Sequence, residues 1–383
     1  MRIAAVSYLN TAPLIEGLDA WAGCEMVRAV PAGIGEMVAR GEVDFGLVSV
    51  VDFAQYAAVE DPLRPSVTSP ASAGDEKACG GDAGRGLVMV PAGMIGCEGA
   101  TLTVRLFSSV PIEEISVVHA DTDSHTSVVL CDLVLRALYG IEAGFVGFDA
   151  REGVVVGGEE KTGNGQLAVG NWEEEEKTPS ALRAPPPQAR GRSEDDDCSG
   201  CTCSVADVDC AGDHSGGPET VLMIGDKVVT GAGVDEWYPY QIDLGEAWLR
   251  MTGLPFVYAV WMCRADRVGD ADVRAGAVVL ERTMLRNRMR MDWIVGRHAA
   301  RTGWPVELAE RYLGELLRFE VDDRAREAVG KFLSMAADAG LVERVEPVWM
   351  ELAGDEEGQW AMGNGQWGRE NEVGAGGVVG GDA

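Results

Sequence analysis

Apolar and polar positions along the chain switch between a period of two and a period near 3.6, and this alternation predicts an α/β protein. RIAAVS (2–7) reads as a short buried strand. Asn10, Thr11 and Pro13 then mark a turn, with Pro13 suited to the first turn of a helix through Gly17. MVRAVPAG (26–33) reads as a second strand and turn. IGEMVARGEV (34–43) reads as a helix with Ile34, Met37 and Val38 on one face and Gly41 at its end. DFGLVSVVDFA (44–54) opens as a strand buried on both faces. A strand–helix–strand–helix–strand opening is the signature of an α/β lobe.

The same grammar returns further on. GLVMVPAGMIGC (86–97), TLTVRLFSS (101–109) and part of EEISVVHADTD (113–123) read as strands. TSVVLCDLVLRALYG (126–140) reads as an amphipathic helix along Val129, Leu130, Leu133, Val134 and Leu138, stopped by Gly140. TVLMIGDKVV (220–229) is an apolar strand ending in Gly-Asp. YQIDLGEAWLRMTGLPFVYAVWMC (240–263) reads as helix then strand, and 283–343 as about three helices. The layout is two lobes: residues 1–105 with 256–350, and residues 106–255, with a ligand cleft near the strand ends at the crossings. Residues 59–86 and 151–219 lose periodicity and read as inserted low-complexity loops, and 353–383 as a disordered Gly-rich tail.

Charge sharpens this division. The three aperiodic stretches 59–86, 151–219 and 351–383 carry net charges of −2, −9 and −6, more than half of the formal −30. No stripe of Lys and Arg is present to neutralise phosphates, which excludes nucleic acid as a partner and argues against an anionic membrane surface. The start turns polar too soon for a secretion signal, and GLPFVYAVWMC is too short to span a bilayer, so a cytoplasmic protein is expected. Nine widely scattered cysteines then read as reduced thiols. Cys198, Cys201, Cys203, Cys210 and His214 include a C-x-x-C pair and form a candidate zinc site, with a spacing that matches no familiar zinc module. GNGQWG (363–368) fits G-x-G-x-x-G but follows no strand, so it carries no dinucleotide reading.

Five stretches resemble the chorismate dehydratase family of the futalosine route to menaquinone. They are VSYLNTAPL (6–14), GEVDFGLVSVVDFA (41–54), TLTVRLFS (101–108), DTDSHTSVVL (121–130), and MIGD (223–226) with DLGEAWLRMTGLPFVYAVW (243–261). The resemblance implies a two-lobed fold like that of type II periplasmic binding proteins. It implies loss of water from chorismate to give 3-[(1-carboxyvinyl)oxy]benzoate, without a cofactor. These stretches contain one imidazole, His125, and no Lys or Cys dyad suited to a base. That agrees with a mechanism proposed for the family, in which the substrate's own enolpyruvyl carboxylate takes the C3 proton.

Asn10 matches the family's active-site Asn, where its amide would meet the leaving hydroxyl or a carboxylate; a plain turn-closing Asn is the alternative. Tyr8 and Thr11 flank the same loop as weaker substrate contacts. Ser49 ends FGLVS, facing a cleft or capping the next helix. Thr103 stands where the family usually has Ser, and Arg105 where it is typically aliphatic. Ser124, Thr126 and Ser127 open the amphipathic helix, where Ser124 reads as an N-cap and unpaired backbone N–H groups attract an anion. The family commonly shows Ser-Arg-Thr-Ser there; here His125 replaces the Arg, as a weaker cation or a solvent-facing residue. Asp226 and Asp243 are expected to orient neighbours, because direct contact with an anionic substrate is unfavourable.

Two other functions stay open on these residues. One is capture of an anionic solute on the same fold, without catalysis; an inactive paralogue belongs with it. The other is the sister enzyme of the pathway, dihydroxynaphthoate synthase, whose SPxPNDTF-type opening VSYLNTAPL does not resemble.

Overall fold

The computed structural model describes residues 1–21, 23–57, 86–149, 154–155, 218–230 and 238–352. All of the expected loop at 59–86 but its last residue, almost all of 151–219 and the tail at 353–383 lie outside the described residues, as do Cys198, Cys201, Cys203, Cys210 and His214. The zinc reading of that cluster therefore lies outside them too.

The chain begins with β1 (Arg2–Ala5), the short helix α1 (Ala12–Ile15), β2 (Glu25–Arg28), α2 (Pro31–Ala39), β3 (Phe45–Ser49), α3 (Val50–Ala57) and β4 (Leu87–Cys97). It then crosses to β5 (Val104–Ser108), β6 (Val117–Asp121), α4 (His125–Val134), β7 (Gly144–Asp149), β8 (Val154–Val155), β9 (Thr220–Ile224), α5 (Lys227–Thr230), β10 (Tyr240–Asp243) and α6 (Leu244–Thr252). It returns through β11 (Phe256–Arg264), α7 (Ala271–Arg288), α8 (Met291–Thr302), α9 (Val306–Arg311), β12 (Leu317–Arg318) and α10 (Asp323–Asp338).

These strands build two six-stranded sheets, in the orders β12-β4-β11-β3-β1-β2 and β10-β5-β9-β6-β7-β8. Each sheet has a parallel trio, β2-β1-β3 in one and β7-β6-β9 in the other. Beside each trio runs one strand, antiparallel to both of its neighbours, that has just arrived from the other lobe: β11 in the first, β5 in the second. The two lobes are therefore built to one plan and exchange a strand, which fixes their interface next to the ends of β3 and β9. β3 is buried at all five positions, as its unbroken apolar run predicts for a central strand.

Two expectations need correcting. The stretch 101–109 is not strand throughout. It begins pairing only at Val104, because the Asp243 carboxylate takes the N–H groups of Thr101 and Leu102 (2.7–3.0 Å) and Leu102 adopts φ +71°. Thr101–Thr103 therefore form the crossing, and Val104 and Arg105 belong to the second sheet rather than to the first lobe. The segment 240–263 also opens with strand β10, not helix, because Tyr240–Asp243 pairs with β5 as an edge strand.

Local signals otherwise act as read. The Ser124 hydroxyl caps α4, accepting the Ser127 N–H, and Gly140 ends the helical run at φ +69°. Asp243 caps α6, and inside that helix the buried Trp248 donates its indole N–H to the Pro255 carbonyl at 2.9 Å. The Trp248 ring packs edge-on against Phe256 and Phe332, tying the return crossing to α10. One continuous apolar core spans both lobes, and a smaller cluster of Phe107, Phe148, Val221 and Met223 forms a second core against the second sheet. No helix among the described residues is long and apolar enough to cross a membrane.

Candidate functional site

A cavity lies between the lobes. Several segments wall it from the first lobe, among them Pro31 at the start of α2. Val6, Tyr8 and Asn10 come from the turn after β1, Leu47 and Ser49 from the end of β3, and Ile95, Tyr258 and Ala259 from the paired strands β4 and β11. The crossing adds Thr101 and Thr103, and Tyr312 follows α9. The second lobe adds Ser124 and Ser127 from the start of α4 and Ile224 and Gly225 from the end of β9. Among these lining residues there is no Asp, Glu, His, Lys, Arg or Cys. The polar groups are hydroxyls and the amide of Asn10.

Carboxylates act from behind this wall. Asp226 accepts the Leu9 N–H at 3.1 Å and the Trp304 indole N–H at 2.9 Å, and burial pushes its carboxyl up to about 6. Asp243 accepts the Thr101 and Leu102 N–H groups and so holds the strained Leu102 between two threonines that both face the cavity. Asp123 accepts the Tyr8 phenol at 2.7 Å, and Lys227 bridges it to Asp121 at 2.8 and 2.5 Å. The Asn10 loop is thus gripped from the opposite lobe at both Tyr8 and Leu9. The Arg28 guanidinium donates to the carbonyl of Val6 at 3.2 Å and braces the backbone that leads into the Asn10 loop.

The remaining predicted residues divide. Tyr8, Asn10, Ser49, Thr103, Ser124 and Ser127 converge on the cavity. Thr11 does not line it; its hydroxyl donates to backbone carbonyls of Val6 and Tyr8 (3.0 and 2.7 Å), so it braces the loop from inside. Thr126 is fully buried, its hydroxyl 2.5 Å from that of Ser49 and accepting the Val51 N–H at 3.1 Å, which makes it a clasp between α3 and α4. Two N–H groups of the α4 start are already taken, Thr126 by Ser49 Oγ and Ser127 by Ser124 Oγ. An anion there would meet mainly the Ser124 and Ser127 hydroxyls and the helix dipole. His125 is neither solvent-facing nor a cavity cation. Its Nδ1 lies 2.7 Å from the buried Asp52 carboxylate; burial lowers its pKa, but the hydrogen bond and the charge of Asp52 together raise it above the ordinary value. Arg105 lies over the Phe107 ring at 5.4 Å and does not line the cavity.

Two tyrosines went unread in the sequence. Tyr258 is bonded to Thr101 Oγ1 at 2.6 Å and Tyr312 to Thr103 Oγ1 at 2.7 Å, both buried, and burial raises both phenols above their ordinary range. Neither had a local signal beyond the rule that a buried tyrosine needs a polar partner. Burial likewise pushes the Cys97 thiol, behind Thr101, up to about 12, so it is no base at neutral pH. No group of residues suited to a metal ion occurs among the described residues.

Among solved structures, the chain is similar to a Candida albicans protein with the generic periplasmic binding protein fold (10% identity, 93% of this chain and 99% of that one covered, TM-score 0.50). It is also similar to the periplasmic aliphatic sulphonate binding protein of Escherichia coli (13% identity, 92% and 98% covered, TM-score 0.48). The fold is that of the periplasmic binding proteins, in line with the two strand-exchanging lobes. A family model described as menaquinone biosynthesis matches residues 1–69 and 204–338, more than half of the chain, and the chain belongs to that family.

Proposed function

We propose that the chain is a chorismate dehydratase, acting in the menaquinone biosynthesis to which its family belongs. One observation carries the reading: the cavity between the lobes is lined by hydroxyls and one amide, with no carboxylate, imidazole, amine, guanidinium or thiol, and burial raises the phenols of Tyr258 and Tyr312. Such a site positions a substrate and leaves proton transfer to groups the substrate brings.

Chorismate brings them. Its enolpyruvyl carboxylate removes the C3 proton, which the diene carboxylate acidifies by delocalising the charge. The C3–H electron pair becomes the new ring π bond as the C4–O bond breaks. The departing oxygen takes up the proton, so the balance is chorismate to 3-[(1-carboxyvinyl)oxy]benzoate and one water, with no net redox change. Aromaticity supplies the driving force, and the protein contributes orientation. In this reading Asn10 faces the C4 hydroxyl, while Ser124, Ser127 and Thr103 hold carboxylate oxygens. Tyr8 and Ser49 complete the two walls. Asp226 and Asp243, behind the wall, fix the two loops that carry Asn10 and Thr103.

The test is incubation of the purified chain with chorismate, followed by absorbance and mass. Loss of 18 Da with appearance of a benzoate chromophore is expected. Binding of chorismate without turnover would replace this reading by capture of an anionic solute.

A further inference from the structure

The loop that carries Asn10 runs straight into α1, a helix of four residues and too short to be stable by itself. Its N-terminal side is braced from within, since the Thr11 hydroxyl donates to the carbonyls of Val6 and Tyr8. Its C-terminal side is held by another element. Asn287, 1% exposed near the end of α7, donates its side-chain amide to the Pro13 carbonyl at 3.1 Å and to the Glu16 carbonyl at 3.0 Å. These are carbonyls of the kind that a one-turn helix leaves without an internal partner. The Asn287 Oδ1 in turn accepts from the Arg286 guanidinium at 3.2 Å, and the same guanidinium donates to the Glu16 carbonyl at 2.6 Å. Both donor hydrogens and the acceptor of this buried amide are therefore in use. The Glu16 side chain adds two ties to α8, at 2.7 Å from His298 Nε2 and 3.2 Å from Arg297 Nε.

The loop thus has anchors on both lobes. At one end the second lobe holds it, with Asp123 accepting the Tyr8 hydroxyl and Asp226 the Leu9 N–H. At the other end Asn287 of the first lobe holds the carbonyls of Pro13 and Glu16. We infer that Asn287 is a positioning residue that anchors the far end of the Asn10 loop to α7, so that Asn10 is set in the cavity wall between one anchor from each lobe. Without the second anchor, the grip of the second lobe on Tyr8 and Leu9 would move α1 along with Asn10. The residue type follows from the task. A leucine fills a similar volume but takes this donor from the Pro13 carbonyl, and an aspartate sets a carboxylate against two carbonyls. The inference rests on the dehydratase reading for what Asn10 does to a substrate, and on the contacts alone for what Asn287 does to the Asn10 loop.

Asn287→Leu should lower kcat on chorismate by about tenfold, the cost of a misplaced orienting group, while KM stays within about twofold. Arg286→Ala changes an exposed residue, keeps the Asn287 amide and removes its support, so the same split is expected at about threefold. It carries the test if Asn287→Leu does not fold. Leu333→Ala opens a cavity in the buried face of α10 and should lower the unfolding temperature while keeping kcat, which separates positioning from a general loss of stability. In an Asn10→Ala background, Asn287→Leu should cost nothing further in kcat. Unaltered kcat in Asn287→Leu, losses that multiply with Asn10→Ala, or an equal kcat loss in Leu333→Ala would overturn the inference. Hydrogen exchange in the ligand-free chain gives a readout independent of turnover. The N–H groups of Thr11 and Glu16, bonded to the carbonyls of Tyr8 and Ala12, should exchange about tenfold faster in Asn287→Leu while those of β3 keep their rates. Unmoved exchange at Thr11 and Glu16 would also overturn the inference. No turnover by the unaltered chain defeats the dehydratase reading alone, since exchange at these two groups still decides whether Asn287 holds the loop.

Discussion

The indole N–H of Trp304 donates to Oδ1 of Asp226 at 2.9 Å, joining the closing helices of the first lobe to the end of the last parallel strand of the second. With the Leu9 N–H on the same carboxylate, this bond crosses the cleft beside Asn10. Burial nevertheless outweighs both donors and raises the carboxyl to about 6.

That shift has a sign that can be measured. The folded chain holds the Asp226 proton more tightly than the unfolded chain, where the ordinary value is about 4. Between pH 4 and 6 this group therefore adds stability as pH falls, by about 1–2 kcal/mol once solvent screening is allowed for. Asn in its place keeps an acceptor and does not titrate. Urea unfolding of Asp226→Asn and the unaltered chain at pH 7.5 and 5 should show the difference moving toward the unaltered chain by about 1 kcal/mol or more on acidification. A difference that ignores pH would mean that the carboxyl titrates at its ordinary value.

Several site positions were legible because their signals are local. FGLVS is an unbroken apolar run closed by a hydroxyl, so β3 had to be central and Ser49 had to lie at its end. Ser124 announced the α4 start and Gly140 its stop. The misplaced crossing shows the limit. TLTV has strand-forming residues, and only the carboxylate of Asp243, brought from 142 residues away, pulls Thr101 out of register. Tyr312 stands 209 residues from Thr103, and Asp52 stands 73 from His125. Pairings at that distance leave no periodicity to read. His125 illustrates this, since a polar residue at a helix start reads as solvent-facing until its buried partner is seen.

The Ser49–Thr126 contact should measure how firmly the lobes hold each other. Thr126→Val is close to isosteric but removes the acceptor for the Val51 N–H and the partner of the Ser49 hydroxyl, all of them buried. A loss of about 2 kcal/mol is expected for such orphaned groups. Thr126→Ser keeps the oxygen and loses one methyl, about 1 kcal/mol. Equal losses in urea unfolding would show that packing, not the hydroxyl, makes the clasp.

Two glycines of the α6 region should respond to alanine for different reasons. At Gly245 an added Cβ would collide with Thr101 Oγ1 and lie 2.6 Å from both Cys97 Sγ and the Gly99 carbonyl. The crossing must move, at about 3 kcal/mol, and Thr101 leaves the cavity, so turnover falls as well. At Gly253 an added Cβ meets open space, and only the backbone at φ +72° objects, by about 1 kcal/mol. Gly253→Ala should keep its turnover. Comparable activity losses in the two variants would remove the link between the crossing and the site.

Asp52 and His125 give the sharpest test of the interface, because neither lines the cavity, Asp52 is buried and His125 is half-buried against it. The contact spans the lobes at 2.7 Å, and burial alone would push the Asp52 carboxyl up and the His125 imidazole down. Their shared proton reconciles the two. His125→Ala leaves a carboxylate in the interior with no counter-charge, which should destabilise the chain by about 3 kcal/mol or more at pH 7. The loss should shrink toward pH 5, because a protonated Asp52 needs no partner cation. Adding Asp52→Asn removes the charge outright, so the double variant should be more stable at pH 7 than His125→Ala alone. If the second substitution instead lowers stability further, Asp52 is held by something other than His125, and the interlobe pair is not the reason His stands at this position.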